Sequence, residues 1–174
     1  MAVPRPMTDA SGSQGSAVNN GTRQLLTFSL GDEVYAVDIL RLKEIRGWSP
    51  VTRLPHSPDF LLGVLNLRGI IVPVVDLRVR FGMAPTEFSA LTVIIVMSLG
   101  EGADRREFGI VVDKVMDVVD VTPDQVRPAP DTGSNATREA IAGIATHDDQ
   151  MLILLKAEHL GFGVTTPEAV PNAA

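Results

Sequence analysis

Cysteine is missing from this chain altogether. That one absence excludes disulfide frameworks, thiolate nucleophiles, Cys-ligated zinc and iron-sulfur clusters, and it frees the chain from any dependence on redox compartment. Apolar runs of bilayer length are missing as well: Leu91 to Leu99 and Met151 to Leu155 are broken by turn residues, well short of the ~20 residues a spanning helix needs. There is no cationic excess. With 15 Lys+Arg against 21 Asp+Glu and a formal net charge of -6, broad contact with nucleic-acid backbones or insertion at anionic membranes is disfavoured. The N-terminus has Arg5, but Thr8-Asp9-Ala10-Ser11-Gly12-Ser13-Gln14-Gly15 stands where a secretory signal needs its apolar stretch. Secretion is therefore disfavoured, and the sequons at Asn20 and Asn135 read as chance.

Signatures of catalysis are also lacking. His56, His147 and His159 stand in no His-x-x-x-His or Glu-bearing zinc pattern, and they read as surface or loop histidines. A Ser-His-Asp triad assembles in space and stays open, but no Gly-x-Ser-x-Gly elbow is present. The nearest fragment to a phosphate loop, Gly100-Glu101-Gly102, carries an acid and reads as a hairpin loop. Asp113, Asp117, Asp120 and Asp124 read as solvation of outward faces. No catalytic, cofactor-binding or metal-binding residue is expected, and no cofactor.

What the chain does have is enough apolar matter, 45% of 174 residues, to bury one core or two small fused ones. Residues 1–22, rich in Gly, Ser, Asn and Pro, lack the large apolar groups that offset the entropy of ordering and are expected to form a flexible tail. From Gln24 the pattern turns to short β-branched runs: Leu25 to Leu30, Val34 to Val37, Ile70 to Val75, Thr92 to Met97 and Phe108 to Val112. Their lengths and their Gly, Pro and Asp boundaries predict strands. Gly31-Asp32 fits a type II′ hairpin loop, since Gly supplies the positive φ. Ser57 to Gly63 and Asp76 to Gly82 predict short helices, each with a cap and a terminating Gly. Thr122-Pro123-Asp124-Gln125 predicts a single capped turn.

The chain also repeats itself. Phe28-Ser29-Leu30-Gly31 echoes Met97-Ser98-Leu99-Gly100, and Tyr35-Ala36-Val37-Asp38 echoes the return run Gly109 to Asp113. Arg53-Leu54-Pro55 echoes Arg127-Pro128-Ala129-Pro130, Leu62-Gly63-Val64 echoes Ala142-Gly143-Ile144, and Val74-Val75-Asp76-Leu77 echoes Leu154-Leu155-Lys156-Ala157. Two similar β-subdomains follow. Each has roughly five strands, suited to a small closed or partly closed barrel that hides its edges.

Glu44-Ile45-Arg46-Gly47 and Asn66-Leu67-Arg68-Gly69 stand out, because each sets a long charged side chain near a Gly in an apolar stretch. On an exposed sheet surface that suits docking. The plainer reading is solvation, with any Glu44–Arg68 pair contributing only ~0 to 1 kcal/mol if exposed.

Read together, Phe28 to Leu40, Glu44-Ile45-Arg46-Gly47 and Val51-Thr52-Arg53 resemble the opening of CheW-type chemotaxis coupling proteins. Gly63 to Arg78 is similar to that family's most characteristic stretch, Gly109 to Val115 to its second-half signature, and Gln125 to Pro130 is a third landmark. The resemblance runs from about Gln24 to Leu160. It implies an all-β fold of two intertwined, SH3-like, five-stranded barrels packed around a shared core, at 23–160 between tails at 1–22 and 161–174. It implies an adaptor without catalysis that joins a chemoreceptor's helical cytoplasmic tip to the regulatory domain of a CheA-type histidine kinase. Such a protein is cytoplasmic, held in receptor arrays at the inner face of the membrane without inserting.

Carried over, Glu44, Asn66, Leu67 and Arg68 are implied in receptor binding, and Arg127 in kinase binding. Departures from the pattern are a longer loop at Glu101 to Glu107 and Thr132 where an aromatic is expected. The same domain also ends the kinase and occurs fused to receiver domains, but 174 residues leave no room for either module. From a different class, a small-molecule-binding or hydrolytic protein would need a cleft between subdomains with convergent titratable groups.

Overall fold

The short β-branched runs that begin at Gln24 become strands. The structure, a computed structural model, describes residues 21–84, 87–131 and 135–160; the tails expected at 1–22 and 161–174 lie outside the described residues except for 21 and 22, as does Thr132. In chain order, β1 (Arg23–Leu30), β2 (Glu33–Asp38) and β3 (Leu42–Gly47) are followed by β4 (Leu61–Leu67), β5 (Ile70–Asp76) and α1 (Leu77–Arg80). Then come β6 (Val93–Leu99), β7 (Arg106–Val112), β8 (Lys114–Val121) and β9 (Val126–Arg127). The chain closes with α2 (Asn135–Ala140), β10 (Ile141–His147), β11 (Gln150–Leu155) and α3 (Ala157–Leu160).

Local signals explain most of these boundaries. Gly31, at φ 61, turns β1 into β2 with Leu30 opposite Glu33, as a two-residue loop requires. The Asp76 side chain caps α1 by accepting from the Arg78 N–H at 2.9 Å, and Gly82 at φ 74 follows the helix. The expected turn at Thr122 is a single 3-10 turn over Pro123–Gln125, with the Thr122 N–H donating to Gln125 Oε1 at 2.8 Å. The helix expected over Ser57 to Gly63 is absent. Its Ser and Pro make a tight turn instead, Leu61 N–H donating to the Pro58 carbonyl at 3.0 Å, and Leu61 onward joins β4 because Leu62 and Leu65 pack on a buried cluster there.

The strands form two sheets, ordered β8-β1-β2-β11-β10-β9 and β3-β6-β7-β5-β4. Set aside the two-residue β9, replace β1, β2, β8, β10 and β11 by β6, β7, β3, β4 and β5, and the first order becomes the second. The internal repeat is thus real, but each sheet draws strands from both halves of the chain. This corrects the expectation that each half folds on itself, and it agrees with the intertwining that the family resemblance implied. Ladders do not run the whole way round, so the sheets are curled, barrel-like and open.

Three clusters make the interior. Leu26, Phe28, Leu30, Val37, Ile95, Met97 and Ile110 belong to a core shared by the two sheets. Leu25, Ala36, Val121 and Leu154 fill the first sheet's own curl, and Val72, Val74, Ile94 and Val96 fill the second's. Each fully buried large side chain contributes about 1.5–3 kcal/mol, so the shared core dominates. Thr27, although buried, is satisfied: at a bulge its hydroxyl donates to the Asp117 carbonyl and accepts the Asp117 N–H, both at 2.9 Å.

One carboxylate differs from expectation. Asp113 is no solvating acid: it accepts the Gly31 N–H at 2.8 Å and forms an ion pair with Arg78, tying the β1–β2 turn to α1 and to the crossing from β7 into β8.

Candidate functional site

Alternation along β3 decides which of its side chains meet the hairpin of β4 and β5. Glu44 pairs with Val96 and Arg46 with Ile94, both in the second sheet's inner cluster, so these two charged side chains face inward at the open end of the curl. Ile45 points the other way and is 41% exposed. On the far edge of the sheet, β4 and β5 meet at Arg68-Gly69, with φ values of 53 and 88 that match a two-residue type I′ turn. The Asn66 side chain secures that turn by accepting the Gly69 N–H at 2.8 Å.

Curling of the sheet brings the two edges together. Arg68 Nη2 donates to Glu44 Oε2 at 3.4 Å, and Arg46 Nη1 lies 3.8 Å from Glu44 Oε1. Glu44 therefore sits between two guanidiniums, and the trio keeps one net positive charge in a chain of net charge -6. Leu67 packs partly on the inner cluster, while Ile70 and Ile71 are exposed. The result is a basic mouth with an apolar surround.

The sequence-expected residues divide accordingly. Glu44 and Arg68 do meet. Arg68 lies at an exposed turn, Asn66 acts on the turn's backbone, and Leu67 roots the hairpin in the cluster. Arg127 stands apart: it is exposed on β9, at the edge of the other sheet, opposite Ile144, and makes no ion pair among the described residues. Sequence reasoning missed Arg46 as a third charge of the mouth. Its signal was the two-residue spacing from Glu44, which puts both on one face of a strand.

Other chemistry is sparse. Among the described residues no group of His, Asp and Glu is placed to hold a metal ion, and His147 lies 3.4 Å from Asp148 at a surface turn. The largely apolar opening of about 430 Å³ beside Leu25, Val121, Pro123, Val126 and Leu154 is lined by one titratable side chain, Arg23, so it lacks the convergent set that a ligand cleft would need. Burial pushes the Tyr35 phenol up to about 12, helped by the Glu33 carboxylate it donates to at 3.1 Å. Burial also raises the Asp76 carboxyl above its ordinary range despite its helix-capping bonds. Both groups are structural.

Comparison with known proteins gives one answer. The family model described as CheW-like domain matches residues 24–161. A probable chemotaxis protein CheW of Rhizobium etli is 40% identical over 153 residues, 88% of this chain and 96% of that protein. The chemotaxis protein CheW of Klebsiella aerogenes is 44% identical over 138 residues, 79% of this chain and 81% of the other. The crystal structure of the scaffolding protein TtCheW from Thermoanaerobacter tengcongensis superposes with a TM-score of 0.68 at 33% identity, covering 78% of this chain and 84% of that one. Two interlocked open sheets around a shared core, the ordered motifs that build them, and these matches along most of the chain place it in the CheW-like family of chemotaxis adaptors.

Proposed function

We propose that this adaptor couples a chemoreceptor's helical cytoplasmic tip to the regulatory domain of a CheA-type histidine kinase and performs no catalysis itself. The observation that carries the reading is the separation of two surfaces. The Glu44–Arg68 mouth, with Asn66 and Leu67 shaping its hairpin, lies on one sheet, and exposed Arg127 lies on the edge of the other. One rigid body can therefore hold two partners at once. A helical bundle presents a ridge of apolar and charged side chains, and exposed Ile70 beside the Glu44–Arg68 pair offers matching chemistry. Arg127 gives a planar, permanently charged donor for carboxylates or carbonyls of the kinase. The working unit is 23–160, and its place is the cytoplasm, in receptor arrays at the inner face of the membrane. No described helix is long and apolar enough to cross that membrane.

The test is a pull-down of the full chain with a receptor-tip fragment and the kinase regulatory domain, separately and together. A ternary complex is expected, with Arg127→Glu losing the kinase domain alone. Binding of neither partner, or nucleotide turnover that survives rigorous purification, would refute the reading.

A further inference from the structure

We propose that Arg46 is a specificity-determining residue of the receptor-facing mouth, where its guanidinium takes a carboxylate of the partner helix, and that Glu44 is the residue positioning it. The inference rests on the coupling reading above and deepens it. Arg46 is held but not used. Its stem lies on the inward face of β3, opposite fully buried Ile94, in the way long cationic side chains cover apolar surface while the head stays at the rim. None of its side-chain donors makes a hydrogen bond among the described residues: its one electrostatic partner, Glu44, is 3.8 Å away, and its Nε is sealed from solvent with no acceptor.

Arg80 is the instructive contrast. It too has a buried Nε without acceptor, but its guanidinium stacks 4.5 Å from the Phe60 ring centroid and donates to the His159 carbonyl at 3.2 Å. Those contacts pin α1 to the end of α3 and give Arg80 a structural duty. Arg46 has no such duty, and it opens on the mouth.

The chemistry of the missing acceptor follows from the geometry. A buried donor without a partner is a desolvation cost carried by the free protein. With Nε sealed, a carboxylate approaching end-on accepts from the two Nη together, the planar fork that arginine offers and lysine does not. Glu44 is already shared with Arg68 at 3.4 Å, so the surplus positive charge of the trio is left for an incoming anion. A purely apolar knob would leave that charge desolvated and the Nη donors without an acceptor. The partner's contact should therefore be an acidic side chain flanked by an apolar one, which exposed Ile70 can cover.

Affinity of the full chain for a soluble receptor-tip fragment decides the matter, measured across salt concentrations beside kinase-domain affinity and thermal melting. Arg46→Met keeps the stem; it is expected to weaken tip binding about tenfold to a hundredfold and to flatten its salt dependence, with melting and kinase binding at wild-type values. Arg46→Lys keeps the charge without the fork and should recover only part of the loss; it also carries the test if Arg46→Met fails to fold. Wild-type tip affinity in Arg46→Met, or full affinity in Arg46→Lys, overturns the inference. So does equal loss of both partners with lowered melting. A wild-type chain that fails to bind the tip would instead overturn the coupling reading, and this inference with it.

Discussion

The hairpins of β4–β5 and β10–β11 occupy equivalent places in the two sheets, yet their tips are opposites. One turns at Arg68-Gly69 and the other at Asp148-Asp149, and all four residues have positive φ. Holding a non-glycine residue in that region costs roughly 1–2 kcal/mol, so each tip keeps side chains at some expense. At Arg68 the charge meets Glu44 and Arg46 from the opposite edge; at Asp148 the neighbours are Asp32, Glu33 and Asp149 around the same hollow. The curl ends differ too. Trp48 packs over the second sheet's cluster and stacks on Phe88 at 4.0 Å between centroids, whereas the corresponding Thr122-Pro123 leaves the first sheet's opening apolar. An old repeat keeps its backbone plan while its two mouths diverge in chemistry.

The largest test of the shared plan lies at its paired glycines. Each sits at a bulge, and a Cβ on Gly63 would come within 2.3 Å of the Thr52 carbonyl oxygen, against 2.7 Å from the Val126 Cγ1 and 2.9 Å from the Arg127 oxygen at Gly143. Gly63→Ala also meets a positive φ, 153. We expect Gly63→Ala to destabilise by about 3 kcal/mol or more and Gly143→Ala by less, in urea denaturation. Equal losses would mean that the two bulges are held alike.

Alkaline stability should distinguish the sheets next. Opposite Phe28 stands Tyr35, and at the equivalent place opposite Met97 stands Phe108. Because folding raises the Tyr35 pKa to about 12, the neutral phenol is the form the fold accepts. Its contribution is complete below pH ~10 and is lost as pH rises towards 12, by up to about 1.4 kcal/mol per pH unit. Tyr35→Phe should flatten that slope in melts between pH 9 and about 11.5, and an unchanged slope would show that other groups set it.

A smaller effect separates fold from function. Arg68→Ala should lower receptor-tip affinity roughly tenfold, or about 1.4 kcal/mol, while melting stays near wild type because the pair is exposed. Loss of folding, or intact binding, would return Arg68 to ordinary surface. The smallest is at the opposite tip: Asp149→Gly, relieving φ 61, should stabilise by no more than about 1 kcal/mol and leave tip binding alone.

Much of this was legible in sequence wherever the signal is local. Strand runs, the Gly31-Asp32 turn, the Asp76 cap and the echo of Leu62-Gly63-Val64 in Ala142-Gly143-Ile144 all reappear as structure. One echo is shifted by a residue: Arg127 corresponds to Thr52 and not to Arg53, because these are the residues whose backbone crowds Gly143 and Gly63. The helix read into Ser57 to Gly63 failed for a related reason. Ser and Pro cap a turn as readily as a helix, and only burial of Leu62 and Leu65 on the inner cluster sends the chain into a strand.

Sequence by itself determined the β class, the twofold repeat and the charged motifs, since period, turn chemistry and composition act over a few residues. Which sheet each strand joins was decided only by tertiary structure. A repeat makes β3 and β8 equivalent but does not say that each pairs with the other half's strand, a choice set by burying one core between both sheets. The mouth is of the same kind. Spacing puts Glu44 and Arg46 on one face, but Arg68 arrives from the far edge of the sheet, and only the curl brings its guanidinium to the carboxylate.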